Sequence, residues 1–518
     1  MDSGHRHGGG VAGKWKKRPT IFTNYRAPLL LFTFTVIAIF ISSKIFISPS
    51  LLPLSPDSRP PQCTHTPGEK YLWYAPHSGF SNQLSEFRNA ILMAAILNRT
   101  LIVPPVLDHH AVALGSCPKF RVLDPNELRF RVWNHSIQLI RDRRLVQFSS
   151  IIAVSLYELE EHMKQNFKAV RYVSMADIVD LSSLVASSAV RFMDFRVFVS
   201  KWCDVNLSLA CTADSSMHSS LLEKLRQCGS LLSGYDGNVD ACLFASQEDC
   251  RTTVWTYQTD DGVLDSFQAD EELKKKRKFS FSRTRKDVSR ALGPGSTAGS
   301  ATVLAFGSLF TGPYKGSESH IDIHEAPNDQ RVQLVIQKIE FLQFVPEILN
   351  AGKSFAHEMI SAPFICAQLR LLDGQFKNHW DGTFQVLKQT LDSLKQKGSL
   401  PIHVFIMTDL PRLNWTGSYL GDLEKDSDSF KLFVLREEDE LVTETAKKLV
   451  NAAYGLKLQS VSSSFDGREQ HCSPLSLPDI LLYVEETICG CASLGFVGTA
   501  GSTIANSIEL MRKNHACS

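Results

Sequence analysis

From residue 364 onward, short apolar runs alternate with stretches whose apolar positions recur every three or four residues. The runs 364–367, 402–407, 430–435 and 492–497 read as strands, and 382–396, 441–453, 479–487 and 503–511 read as helices. Strands that alternate with helices predict a parallel sheet covered on both faces, with ligands beyond the carboxyl ends of its strands. An amphipathic stretch at 335–360 leads into this half. The preceding half opens with a strand at 71–74 and a small-residue turn carrying Ser81, Asn82 and Gln83. A helix with Leu84, Phe87, Ile91, Ala94 and Ala95 on its apolar positions follows. It runs into a buried-strand run at 101–103, closed by Pro104 and Pro105, and further apolar runs occur at 151–154 and 195–199.

One apolar segment lies outside this rhythm. The first 26 residues are polar and basic, and the 17 residues from Ala27 to Ser43 carry no charge. As a helix they would span roughly 26 Å, enough for a thin bilayer. The basic flank predicts a single-pass type II orientation, with the amino terminus in the cytosol and the body in the Golgi lumen. A cleaved signal peptide is the rival reading, but the apolar part is long for one and no small-x-small site follows. The expected organisation is a cytosolic tail (1–26), a transmembrane anchor (27–47) and a Pro/Ser-rich stem (48–70), then a first lobe (71–345) and a second lobe (346–518). The basic run 274–278, followed by GPGSTAGSA, reads as an exposed loop in the first lobe.

A net charge of +1 supplies no global field, so neither nucleic acid nor an anionic surface is an expected partner of the body. All 12 cysteines follow the anchor, and an even number suits disulfides in an oxidising compartment. Cys203, Cys211, Cys228, Cys242 and Cys250 look like a stapled insertion, with connectivity left open. Cys489 and Cys491 lack the second close pair that a zinc site needs. Four N-x-Ser/Thr triplets mark Asn98, Asn134, Asn206 and Asn414 as candidate glycosylation sites.

Three segments carry candidate chemistry. In the first, Gly79 feeds a helix start whose free N–H groups suit an anion, although an ordinary βα unit has the same pattern. In the second, Gln368, Arg370 and Asp373 stand just past the strand at 364–367, where a guanidinium can fork onto a phosphate; a structural Arg–Asp pair is the plainer alternative. In the third, GFVGTAGSTIANSIELMR at 495–512 reads strand, Gly-rich turn and helix, with Ser502 as cap or hydroxyl donor. Together, GFSNQ with LNRTL-x-VPP, the QLRLLD segment and the last turn resemble the plant branch of the protein O-fucosyltransferases.

The resemblance implies a GT-B-like α/β fold, two Rossmann-like lobes facing a cleft, and an inverting, metal-independent transfer of fucose from GDP-fucose to a protein or glycan hydroxyl. No cofactor is expected, and the partners are the nucleotide-sugar donor, a protein or polysaccharide acceptor, and the membrane through the N-terminal helix. It assigns catalysis to Arg370 and Asp373. Donor contacts fall to Gly79, Phe80, Asn82, Gln368, Asp409, Ser502 and Thr503. Gln368 stands where the family usually has a His, so no proton can be carried there. Gly79 stands where animal members have an Arg, and the run Ala492 to Gly495 just before Phe496 lacks the acidic residue that related enzymes often carry there. Two rivals follow from these departures: the same fold with another donor, such as a rhamnosyl nucleotide acting on a cell-wall glycan, and a non-catalytic lumenal binding protein. Glu86 is the candidate general base, its plainer reading being a solvent-facing helix charge. Asp426 and Asp428 in an Asp-x-Asp arrangement, and Asp108, His109 and His110, are minor metal candidates that a polar loop explains as well.

Overall fold

Two parallel sheets organise the chain. The computed structural model describes residues 68–77, 79–107, 125–141, 172–207, 215–234, 242–246, 289–290, 292–309, 330–372, 380–398, 400–452 and 477–517, with four short strands between 253 and 283. The first sheet contains β1 (Tyr71–Tyr74), β2 (Thr100–Val103), β3 (Arg191–Asp194), β4 (Leu243–Ala245) and β5 (Val303–Phe306), in the order β3-β2-β1-β5-β4. The second contains β6 (Phe364–Leu369), β7 (Ile402–Thr408), β8 (Phe430–Phe433) and β9 (Gly495–Gly498), in the order β8-β7-β6-β9. In each sheet the chain first winds outward and later returns on the other side of the starting strand. The switch points therefore lie between β1 and β5 and between β6 and β9, the places where such sheets hold ligands.

The alternation of side chains along the strands explains the layering. Leu72 and Tyr74 of β1 join one apolar core with Cys366 of β6 and Phe405 and Met407 of β7. Between the sheets that core is filled by α1 (Phe80–Leu97), α5 (Gln330–Ile339), α6 (Pro346–Ser354), α9 (Glu440–Ala452), α10 (Leu481–Gly490) and α11 (Thr503–Lys513). The opposite residues Tyr71 and Trp73 pack outward on α2 (Pro125–Arg141), α3 (Phe195–Trp202) and α4 (Ser215–Leu232). Ile365, Ala367 and Leu369 of β6 pack outward on α7 (Trp380–Lys397) and α8 (Tyr419–Lys425). A period of two in each strand thus assembles five layers, with the central helices shared by both sheets. Both sheets belong to one compact unit.

Several expectations shift. The helix after β1 begins at Phe80 with Gly79 as its cap, so Ser81, Asn82 and Gln83 lie in its first turn rather than in the turn before it. The apolar run 195–199 is helical. The amphipathic stretch 335–360 is divided, because Pro346 starts α6 afresh and α6 continues as a π-helical turn at Phe355–Ile360.

The expected anchor also requires correction. Among the described residues no helix is long and apolar enough to cross a membrane. The transmembrane helix expected at 27–47, and with it the signal-anchor, the type II Golgi-membrane placement and the membrane as a partner, is accordingly not found among the described helices. Tail, anchor, stem residues through 67, the run 151–154 and the basic run 274–278 lie outside the described residues.

Disulfides join Cys203 to Cys228, Cys366 to Cys489 and Cys491 to Cys517, and Cys242 is also oxidised. Cys489 and Cys491 thus serve two different bridges, one to β6 and one to the chain end. Cys211 and Cys250 lie outside the described residues.

Candidate functional site

At the second switch point, the end of β6 and the end of β9 are tied together by Thr499. Its backbone N–H donates to the Gln368 carbonyl (3.0 Å) and to Gln368 Oε1 (3.3 Å), and its hydroxyl donates to the same carbonyl (3.2 Å). The Arg370 N–H donates in turn to the Thr499 hydroxyl (2.9 Å). Gln368 is buried, and its amide oxygen helps to join the two strands. Arg370 is half-buried just past the strand end. Asp409, at the end of β7, accepts the N–H groups of Leu371 (2.7 Å) and Leu372 (3.0 Å) on its two oxygens. It holds the loop that leads from Arg370 to Asp373, and Asp373 itself lies outside the described residues.

The last turn supplies an anion-binding geometry. Gly501 has φ +76°, a conformation that favours glycine, and a Cβ on Gly498 would stand 2.6 Å from the Ala505 Cβ. The turn delivers Ser502 as the N-cap of α11, with Thr503 first in the helix. The Ser502 hydroxyl is buried and has no hydrogen-bond partner among the described residues. An 11-residue helix begins there, with its amides and positive dipole end at the carboxyl edge of the sheet.

The first switch point holds the other predicted residues. Gly79 caps α1 without a side-chain bond, and Asn82 Oδ1 and Ser81 Oγ are buried without partners among the described residues. Phe80 is buried against Tyr483 of α10 (4.4 Å between ring centres) and Phe344, so it holds the seam between the two sheets. Glu86 is fully buried, which overturns its reading as a solvent-facing charge. It accepts the backbone N–H of His77 (2.9 Å) and the hydroxyl of Ser308 (2.9 Å), and His77 Nε2 lies 3.1 Å from it and 2.7 Å from Ser308 Oγ.

α1 packs on α11, and Arg88 of α1 lies in the field of Glu486 on α10. Burial pushes the Glu486 carboxyl up to about 8, against a hydrogen bond from Ser507 of α11 and the charge of Arg88.

Thr499, His77 and Ser308 escaped the sequence reading. Ser308 follows its strand at once and Thr499 continues the Gly-rich turn, but nothing local distinguishes either from an ordinary loop residue. Among the four sequons, Asn414 lies on an exposed turn. Asn206 is exposed, Asn134 lies half-buried inside α2, and Asn98 accepts a bond from Arg331 (2.8 Å). Among the described residues no group of three or more His, Cys, Asp or Glu side chains could hold a metal ion. Asp426 is engaged by Lys395 (3.0 Å), and 108–110 lie outside the described residues.

Two parallel sheets with loops gathered at both switch points define an α/β protein of the kind that holds ligands beyond the carboxyl ends of its strands. Comparison with known proteins resolves the class: residues 71–379 match the family described as GDP-fucose protein O-fucosyltransferase. A relative named O-fucosyltransferase 30, from Arabidopsis thaliana, is 58% identical over 456 residues, covering 87% of this chain and 84% of its own. The chain belongs to the GDP-fucose protein O-fucosyltransferase family and is a glycosyltransferase. Crystal structures of POFUT1 without ligand and with GDP-fucose align at 12% identity, covering 87% of this chain and 96% of theirs. Their TM-scores are 0.39 and 0.36, too low to carry an argument about this chain.

Proposed function

We propose that the protein transfers fucose from GDP-fucose to a hydroxyl of a protein or glycan, with inversion, and that the second switch point holds the donor diphosphate. The observation that carries this reading is the Ser502 hydroxyl at the start of α11, buried and without a partner among the described residues, on the rim that also carries Arg370. Ser502, Thr503 and the first-turn amides of α11 bind the phosphates, and the Arg370 guanidinium faces the oxygen on which charge develops as the sugar leaves. The acceptor oxygen attacks the anomeric carbon from the opposite side. The bond to the diphosphate breaks with its electron pair going to GDP, and the acceptor's proton is released. Fixed donors aimed at the departing diphosphate are worth more in the transition state than in the ground state. Asp373 belongs to this set through the family motif, while Asp409 supports it by holding the intervening loop. Gly79 and Asn82 approach the sugar from the first sheet. The disulfides fit an oxidising secretory lumen.

Calorimetry on the full-length protein with GDP-fucose, GDP and UDP-sugars, beside Arg370→Ala, tests the reading. GDP-fucose binding that weakens by ~1.5–3 kcal/mol in the variant, as for a lost charge-assisted bond, supports it. Preference for another nucleotide sugar would replace the donor, and a folded protein that binds no nucleotide would replace the enzyme with a binding protein.

A further inference from the structure

The inner face of α1 carries a polar stripe, Gln83, Glu86 and Asn89, each buried and three residues apart. That spacing keeps them in one row along the helix. Between them they tie down three strand ends. Gln83 Oε1 accepts the Leu107 N–H beyond β2 (3.1 Å), Glu86 takes His77 beyond β1 and Ser308 beyond β5, and Asn89 donates to the Leu309 carbonyl (2.7 Å). Three neighbouring strands of the first sheet are thus fixed at their carboxyl ends by one helix face.

The middle member is chemically unlike the others. Neutral amides serve at both ends of the row, yet the centre is a carboxyl group, costly to bury and tolerable only with several donors around it. Beside the Ser308 hydroxyl, Glu86 engages His77 twice, by the backbone N–H (2.9 Å) and at the ring (3.1 Å). The Ser308 hydroxyl donates to Glu86, and His77 Nε2 lies within hydrogen-bond distance of both groups. His77 lies two residues before the Gly79 cap, and Asn82 is in the first turn of the same helix. The clamp therefore fixes the start of α1 from the sheet side.

We propose that Glu86, with His77 and Ser308, is a positioning residue for sugar transfer, setting Asn82 and the first-turn amides of α1 against the sugar end of the donor. It acts through the turn and touches no substrate. This inference rests on the donor site described above.

The test uses full-length protein carrying Ser308→Ala, which keeps Glu86 and its other donors, and Glu86→Gln as the more disruptive variant. GDP release from GDP-fucose in water is followed together with GDP affinity, melting temperature and amide exchange. The expected result for Ser308→Ala is a kcat lower by about tenfold or more, the scale of a small misplacement of reacting groups. KM for GDP-fucose should stay within about twofold, because the ground-state contacts remain, with GDP affinity unchanged and melting lowered only as far as one lost buried hydrogen bond requires, so rates are compared well below the melting temperature of both proteins. Amides 79–83 should exchange faster while those of β6 to β9 do not. Unchanged kcat, or a loss of kcat that merely follows melting or GDP affinity, would overturn the assignment. Should the wild-type chain fail to use GDP-fucose, the donor reading falls. The exchange pattern still decides the clamp, and protection of 79–83 that survives the substitution sinks it.

Discussion

Ser507 of α11 donates its hydroxyl to Glu486 of α10 at 2.7 Å, inside the helical layer that both sheets share. The second oxygen of Glu486 is buried without a partner among the described residues, while Glu485 and Asp479 lie on the same helix and at its entry. Burial raises Glu485 as well, reinforced by Asp479 and Glu486. A carboxyl held at about 8 when folded, against 4.5 in the reference state, keeps its proton more tightly in the folded chain. Stability from this group is full below the unfolded value, declines as pH rises towards 8, and is level above it. Glu486→Gln, which resembles the protonated acid, should flatten that decline and leave the protein more stable at pH 8, by an amount on the order of a few kcal/mol. Thermal melts of both proteins from pH 5 to 9 check this; parallel curves would show that Glu486 does not titrate in that window.

Thr499→Val keeps the volume of the side chain and removes the hydroxyl that receives the Arg370 N–H. Losing that buried bond should cost about 1–3 kcal/mol of stability and loosen Arg370. Donor affinity measured by calorimetry should fall more than GDP-independent stability does when Arg370 is the phosphate ligand. Unaltered affinity would detach Thr499 from the site.

Gly498→Ala places a methyl group 2.6 Å from the Ala505 Cβ and 2.9 Å from the Phe496 ring. Overpacking of this kind costs about 1–3 kcal/mol, and α11 can yield only by moving its N-terminus. The expected outcome is a lower denaturation midpoint together with weaker GDP binding. A variant with native binding would show that the diphosphate does not depend on the start of α11.

The Cys366–Cys489 bridge closes a sequence separation of 123 residues between β6 and α10. Replacing both cysteines by Ser should cost about 2–5 kcal/mol, the usual range for a native bridge in a secreted protein. Chemical denaturation reads this directly, and little change would mean that the core around β6 is held by packing alone.

Asn414 sits in a short exposed 3-10 turn between β7 and α8, with Leu413 almost wholly exposed beside it. Of the four sequons it is the one expected to carry glycan most completely in a secretory host. Asn134 lies inside a helix, where the Ser136 hydroxyl already donates to the Val132 carbonyl (2.8 Å). Site-resolved mass spectrometry compares their occupancy, and a bare Asn414 beside a modified Asn134 would reverse the ranking.

Much of the architecture was legible because periodicity is a local property. Alternating runs placed β1, β6, β7 and β8 within a residue or two, and the Gly-Ser turn before α11 announced a helix start at a strand end. The positions of Arg370 and Asp409 at strand ends could be read for the same reason, since each follows its strand directly, and that of Ser502 because it opens a helix after a Gly-rich turn. Other features depended on which strands become neighbours. The burial of Glu86 needed β1 beside β5, a pairing across more than two hundred residues that brings Ser308 to it. Thr499 became a hub only when β9 paired with β6. Phe80 looked like a ligand contact in sequence, yet the shared helical layer packs it against Tyr483. Local pattern determines which residues form strands and helices and which side chains end up at strand termini. The pairing order of the strands, set by burying both faces of two sheets at once, decides which of those termini meet and which polar groups are enclosed between them.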